Sequence, residues 1–498
     1  MLLNNGTMLE VPGSFVSYLT VCKFLTCTAA YLLYRHWYQM PRSFPPGPRG
    51  IPILGVLPLL GRHPERKLNE WKREYGPVMG ARVGRKNWVV LGDCASIKMA
   101  LMGEGDIFSG RPSPHKKEDG IVFLDNGRSW TMHKTLGLLA FRGFGITENK
   151  SLEKHVIEEV SYLKEAVRSK RGVAFSIDTI LTNAVSNVLC SILLGQRFQY
   201  SDQRFKRIIH QLSRRFYNPL GASASTGFGF EALTNFFQKR KQTRRQKLSI
   251  LKRTLLGFIN IHEKTYDSTN IRDFIDAFLL LKHRQLDESF NDKQLIHYIY
   301  DLFLGGTETT TGTLRWAILC LLHYPEKQAK LRKEIIQVLG DQEVTILKKH
   351  EMPYASAFIH EVYRFRTLFP LGLPHKTSHQ VILDSYVIPQ GTTVCTNLWA
   401  VHNDPKVFDE PEEFKPERHL YGNGEFGRSP YVIPFSVGPR HCLGEQLASM
   451  MLFIYLVSLV RSFEFLPDPK LNGLPDIKSG ASGPVFLPKS FNVVAREL

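Results

Sequence analysis

Phe435-Ser436-Val437-Gly438-Pro439-Arg440-His441-Cys442-Leu443-Gly444-Glu445 sets a cysteine between two close glycines, directly before an apolar, helically patterned run at 447–459. Glycine at both flanks lets the backbone pass close to a flat cofactor and then turn into a helix. Backbone amides and the positive end of that helix favour thiolate over thiol at the sulfur. A thiolate is a metal ligand, and Arg440, two residues earlier, is placed to pair with an anionic group of the same cofactor. The cysteine alone would read as a small buried hydrophobe; the whole phrase reads as a ligand loop.

The other six cysteines (Cys22, Cys27, Cys94, Cys190, Cys320 and Cys395) form neither CxxC pairs nor a regular spacing, which excludes a disulfide scaffold and a zinc site. Upstream of the loop, helical periodicity covers 151–170, 175–195, 202–217, 231–264, 293–323 and 325–340. Alternating apolar residues mark strands at 78–91, and strand signals return near 380–397 and 484–495. The 498 residues show no fixed repeat and no clear interior linker after residue 51. Gly221-Ala222-Ser223-Ala224-Ser225-Thr226-Gly227 reads as a loop within one large domain.

Residues 15–33 are apolar for long enough to cross a bilayer, with Lys23 as the interruption and Arg35 and His36 following. No basic n-region precedes them, so an anchor is expected rather than a cleaved signal, with the body of the protein on the cytosolic side. Asn5-Gly6-Thr7 is then a lumenal glycosylation sequon. Pro45-Pro46-Gly47-Pro48-Arg49-Gly50 is too rich in proline for helix and suits a stiff spacer. The expected division is 1–40 lumenal tip and anchor, 41–50 hinge, 51–498 catalytic domain.

A net charge of +18 favours acidic partners: anionic lipid, a negatively charged protein, or nucleic acid. No zinc-finger, helix-turn-helix or RNA-binding signature accompanies it, so no nucleic-acid partner is expected. The densest basic stretch, Lys239 to Arg253, is spaced like a solvated helix face.

Four further phrases stand in a fixed order before Cys442: Phe108-Ser109-Gly110-Arg111; Gly305-Gly306-Thr307-Glu308-Thr309-Thr310 inside a helical run; Glu361-Val362-Tyr363-Arg364; and Phe414-Lys415-Pro416-Glu417-Arg418. Paired glycines and adjacent threonines are poor helix material, so mid-helix they point to a locally opened hydrogen-bond ladder beside a ligand. Together with the cysteine phrase these segments resemble the cytochrome P450 superfamily over nearly the whole chain. The similarity is greatest to the microsomal animal group that hydroxylates drugs, fatty acids and steroids.

The resemblance implies a mainly α fold with small β-sheets, a single large haem domain behind an N-terminal transmembrane helix. Haem b is the implied cofactor, with Cys442 as the axial ligand of its iron, whose electron donation promotes O–O cleavage. Arg111, Trp130, Lys134, His375 and Arg440 are implied partners of the haem propionates, and Phe435, Gly438 and Gly444 shape the ligand loop. Lys134 stands where the family usually carries arginine; lysine keeps the charge and loses the bidentate fork. Glu308 and Thr309 are the implied proton carriers, while Glu361, Arg364 and Arg418 form a structural triad. The pocket walls are expected from Ile121, Phe123, Gly305, Thr309, 368–372 and Ala481-Ser482-Gly483, with Phe228 and Phe230 as a roof.

No Gly-x-Gly-x-x-Gly fingerprint or flavin unit is evident, so a separate reductase must supply electrons; the resemblance to the microsomal group implies an NADPH-dependent one carrying FAD and FMN. Cytochrome b5 and membrane lipid are further expected partners, at the endoplasmic reticulum membrane, and the substrate is a hydrophobic small molecule. A haem-thiolate isomerase without reductase and a non-enzymatic haem or lipid carrier are the rival classes. Reductase-dependent NADPH consumption separates them from a monooxygenase.

Overall fold

A computed structural model describes residues 13–38, 43–52, 54–84, 86–112, 120–141, 152–216, 241–471, 473–481 and 485–498, of which 13–19, 33–38, 212–216 and 241–251 as backbone alone. Asn5, the 221–227 loop, Phe228, Phe230, Ser482 and Gly483 lie outside the described residues. Helices dominate, with small sheets at the periphery.

The longer helices are α1 (Gly13–Tyr38), α2 (Pro64–Tyr75), α3 (Arg128–Ala140), α4 (Leu152–Arg168), α5 (Asp178–Leu194), α6 (Gln203–Phe216), α7 (Lys241–Thr265), α8 (Phe274–His283), α9 (Asp292–His323), α10 (Pro325–Leu339), α11 (Pro353–Phe365) and α12 (Glu445–Ser462). Their ends follow local chemistry. Asn291 caps α9 by accepting from the Gln294 N–H at 3.0 Å, and Asp273 caps α8. Pro325 and Pro353 open α10 and α11, where a missing N–H costs nothing. The periodic segments of the sequence match α4, α5, α6, α9 and α10 to within a few residues. Periodicity missed α2, whose charged face leaves Leu68 and Trp71 as its buried apolar contacts, and α8, which is apolar almost all round.

The core forms where α9 crosses α5 and where α12 lies against both α4 and α9. Gly306 permits the α9–α5 approach: a Cβ there would stand 2.8 Å from Leu189 Cδ1. α12 is buried along almost its whole length, with Tyr455 fully enclosed, so it has no polar face to alternate against.

One sheet runs β1 (Val78–Val83), β2 (Lys86–Leu91), β7 (Thr393–Thr396), β4 (His375–Lys376), with β2 and β7 parallel and Trp88 opposite Thr393. β3 (Phe175–Ser176), β11 (Asn492–Glu497) and β8 (Phe463–Pro467) form a second; β5 (Val381–Leu383) pairs β6 (Tyr386–Ile388), and β9 (Gly480–Ala481) pairs β10 (Leu487–Pro488). The proline-rich segment is docked on the first sheet. Phe44 is buried, Gly80 N–H donates to the Pro46 carbonyl at 2.8 Å, and a Cβ on Gly47 would meet the Gly80 oxygen.

Two expectations change. α1 occupies the expected anchor, but no helix among the described residues is long and apolar enough to cross a membrane, Lys23 and three threonines diluting the described part of it. The α9 ladder is not opened at Gly305–Thr310: the helix is continuous, and the Thr309 hydroxyl donates back to the Gly305 carbonyl one turn earlier. Back-bonding satisfies the threonine without breaking a main-chain bond.

Candidate active site

The Cys442 loop is a tight turn held by its own backbone. Cys442 N–H donates to the Phe435 carbonyl at 3.0 Å and His441 N–H to that of Gly438 at 3.0 Å. Gly438 is required twice over: its φ is +82°, and a Cβ would stand 1.8 Å from the Leu101 oxygen. Ser436 holds φ at +61°, unusual for a residue with a side chain. Cys442 is an exposed residue, yet protein atoms crowd round its sulfur. Burial therefore pushes the thiol up to about 11, against the lowering effect of the Gly444 N–H. The loop by itself thus favours thiol, contrary to the expectation from the helix end; a thiolate there needs a cation at the sulfur.

Beside the loop, basic side chains meet, Arg111 and His375 buried and Lys134 and Arg440 partly so. Arg440 donates to the carbonyls of Ser109 at 2.8 Å and Leu124 at 2.7 Å, with its guanidinium carbon 3.9 Å from the Trp130 ring centre. Lys134 Nζ lies 5.2 Å from the same ring and donates to the Pro439 carbonyl at 2.7 Å. Arg111, buried, donates to the Pro374 carbonyl at 2.8 Å, and its Nε has no partner among the described residues. The His375 Nδ1–H donates to the Phe108 carbonyl at 2.8 Å. Burial lowers all four pKa values, and the cations lower one another: Arg440 to about 9 with Arg111 as the second cause, Lys134 with Arg440, His375 well below its ordinary value with Arg111. Among the described residues, Asp125 is the carboxylate that acts on Arg440, and it also accepts from Lys376 Nζ at 2.8 Å. Buried cations without enough counter-charge are costly. The donor set therefore fits an anionic group that carries carboxylates.

α9 faces the cleft with Gly305, exposed although mid-helix, and a Cβ there would meet nothing within 4 Å. Glu308 is buried and Thr309 half-buried on the next turn. Two residues that sequence reading passed over fix the facing loop. Gln294 exchanges hydrogen bonds with Gly120, 2.7 Å to its N–H and 2.9 Å to its carbonyl. Asp301 Oδ2 accepts from the N–H groups of Ile121 at 2.9 Å and Val122 at 3.0 Å. Gln294, Asp301 and Glu308 are seven residues apart, so one stripe of α9 carries all three. That polar stripe on an otherwise apolar helix was a visible signal.

Glu361, Arg364 and Arg418 come together as one buried network. Glu361 accepts from Arg364 at 2.7 and 2.8 Å and from Arg418 Nε at 3.1 Å. His419, not singled out in the sequence, adds a fourth bond at 2.8 Å. Burial alone would raise the Glu361 carboxyl, but the bonds from Arg364 and His419 prevail and hold it at about 2. Arg364 also donates to the His402 carbonyl at 3.0 Å, and His402 Nε2 accepts from the Ile433 N–H at 2.9 Å. The triad is thereby linked to the start of the cysteine loop.

The cytochrome P450 family model matches residues 45–494, spanning every element of this site. The chain belongs to the cytochrome P450 family. Its curated relatives include rat cytochrome P450 2U1, 34% identical with 94% of each chain covered, and mouse cytochrome P450 2J5, 35% identical with 91% of each covered. Human cytochrome P450 2J2 is 36% identical over 88% of this chain and 89% of its own. This P450 is a monooxygenase, and its family's cofactor is haem. Trp130, Lys134 and Arg440 meet beside the Cys442 loop, and Arg111 and His375 lie close enough to Arg440 to share its field.

Proposed function

We propose that this P450 inserts one atom of dioxygen into a hydrophobic small molecule, a fatty acid, steroid or xenobiotic, and releases the other as water. The observation that carries the reading is the convergence of an exposed cysteine with basic side chains that, among the described residues, outnumber their carboxylates. Cys442 is the residue to hold the haem iron, with Phe435, Gly438 and Gly444 shaping its loop. Arg111, Lys134, His375, Arg440 and the Trp130 N–H are those to hold the propionates, whose negative charge supplies what the cluster lacks. When bound, the haem supplies reductive activation of dioxygen.

The chain supplies the rest. Thr309 holds a proton at Oγ1, which leaves the Gly305 carbonyl by rotation about χ1 to donate into the cleft. Glu308, one residue away, is the group to replenish it. Gln294 and Asp301 keep the 120–122 backbone against α9, so that Ile121 stays in the wall. Phe123 and Leu368 extend an apolar lining suited to a hydrophobic substrate. Glu361, Arg364 and Arg418 keep the loop's supports in place.

Electrons come from a separate NADPH-dependent FAD/FMN reductase, with cytochrome b5 as a second donor; the positive charge of the chain supports an acidic docking partner. Residues 1–40 attach the protein to the endoplasmic reticulum membrane, 41–50 are the hinge, and 51–498 the cytosolic catalytic domain. Supporting this, Val21, Phe24, Leu25 and Leu32 of α1 are more than half exposed, apolar surface that lipid would cover. Lys23 can snorkel from such a position. The docked proline segment gives the domain a fixed departure angle.

The decisive measurement is the carbon-monoxide difference spectrum of the reduced protein beside Cys442→Ser. A strongly red-shifted Soret band lost in the variant is expected; its absence from a folded, haem-loaded wild type refutes thiolate ligation. With reductase present, Thr309→Ala should lower product per NADPH by roughly 10²-fold, the scale of a lost proton donor, while NADPH is still consumed. Unchanged coupling would remove Thr309 from the proton path.

A further inference from the structure

Between α11, the 426–435 segment and the start of α12 lies a second cavity of about 80 Å³, whose walls include Lys349, His360, Tyr363, Arg428, Phe435 and Glu445. Sites for drug-sized molecules occupy roughly 300–1,000 Å³, so this one excludes an organic substrate. Its polar groups are nevertheless incompletely satisfied. His360 is 6% exposed and its Nε2 has no hydrogen-bond partner among the described residues, although ring contacts to His419 at 4.7 Å and Phe426 at 5.4 Å fix its plane. The Tyr363 hydroxyl leans toward Ser449 without a hydrogen bond of good geometry. Buried polar atoms left open ask for a ligand or an ordered water.

Charge distinguishes those two. Lys349 makes no ion pair among the described residues, and burial, then Arg428, lower its pKa. Arg428 pairs with Glu445 Oε1 at 3.0 Å, and the other Glu445 oxygen is taken by His441 at 2.7 Å. Glu445 acts on Lys349 as well, so three basic groups, Lys349, Arg428 and His441, share one carboxylate whose two oxygens are already engaged. Burial pushes His360 down to about 3 and Tyr363 above its ordinary value, so both stay neutral and able to donate. A partly buried ammonium, a guanidinium and two neutral donors around one small space match a tetrahedral or planar oxyanion better than water.

We propose that this cavity binds a small free oxyanion such as inorganic phosphate, held by Lys349 and Arg428 with His360 and Tyr363 donating. Phe435 and Glu445 belong to the loop and helix that carry Cys442, so occupancy would stiffen that segment from outside the cleft.

The test is equilibrium dialysis of radiolabelled inorganic phosphate against the haem-loaded full chain at constant ionic strength, with thermal unfolding in parallel. One saturable site per chain is expected, with a midpoint that rises and levels off. Lys349→Gln should abolish it, and Tyr363→Phe, which keeps the ring, should weaken Kd roughly tenfold. Acetate that competes in the same dialysis assigns the site to oxyanions at large; acetate that does not restricts it to phosphate-like anions. No saturable binding, or binding equal in wild type and both variants, overturns the proposal and leaves a hydrated cavity. Tyr363→Phe also serves if Lys349→Gln fails to fold.

Discussion

Two buried charge clusters lie on either side of the cysteine loop, and they are built on opposite plans. Around Glu361, a fully buried carboxylate accepts from Arg364, Arg418 and the Lys415 N–H at Oε1 and from Arg364 and His419 at Oε2. Around Arg440, four basic side chains satisfy most of their N–H groups on backbone carbonyls and bring too little negative charge of their own. Carbonyls satisfy hydrogen bonds but cancel no charge. The first cluster is complete within the chain and belongs to stability. The second is complete only with an anion from outside and belongs to the cofactor.

The largest effect should come from breaking the complete cluster. Glu361→Gln leaves the buried Arg364 and the partly buried Arg418 without their counter-ion, which costs about 3–5 kcal/mol. Urea unfolding of the haem-loaded protein measures it, and a loss below about 1 kcal/mol would show that the backbone carbonyls suffice. The pH dependence has a definite sign. The Glu361 carboxyl is depressed to about 2 from 4.5, so its stabilisation is fully present above 4.5 and is lost as pH falls toward 2. Between about pH 5 and pH 3 the wild type should therefore lose stability more steeply than Glu361→Gln. Parallel curves would place the carboxyl elsewhere on the pH scale.

Removing a member of the incomplete cluster should act on the cofactor instead. Arg440→Gln relieves repulsion in the apoprotein and removes a propionate partner, so transfer of haem to a haem-free acceptor should quicken by roughly 10- to 100-fold, the scale of a lost buried charge partner. The apoprotein should change by less than about 1 kcal/mol. A large apoprotein loss with unchanged haem transfer would invert the comparison and make Arg440 structural.

The same contrast explains what could be read before the structure. Cys442, Gly438, Arg440, Glu361 and Arg364 sit in short phrases whose spacing reports local geometry, and α4, α5, α6, α9 and α10 announce themselves by period. His419 and His402 enter their network from separate turns, across up to 58 residues of sequence, which no local pattern records. At Cys442 the Gly444 N–H is legible as a local feature and desolvation is not; in the chain alone burial outweighs that N–H. The Gly305–Thr310 break was misjudged, since a threonine's own hydroxyl can absorb what glycine loosens.

The smallest and sharpest test is Lys134→Arg. Lysine spends one donor on the Pro439 carbonyl at 2.7 Å and presents a compact ammonium 5.2 Å from Trp130. A guanidinium can keep that bond and still turn two parallel N–H groups toward a carboxylate. It also brings a bulkier cation toward Arg440, which itself lies 3.9 Å from the same ring. The gain therefore appears only with the anion present: haem transfer should slow by about threefold while the apoprotein stays level or weakens by about 0.5 kcal/mol. If Lys134→Arg loses haem as fast as Lys134→Ala, the side chain serves the Pro439 carbonyl alone, and the cofactor cluster consists of Arg111, His375, Arg440 and Trp130.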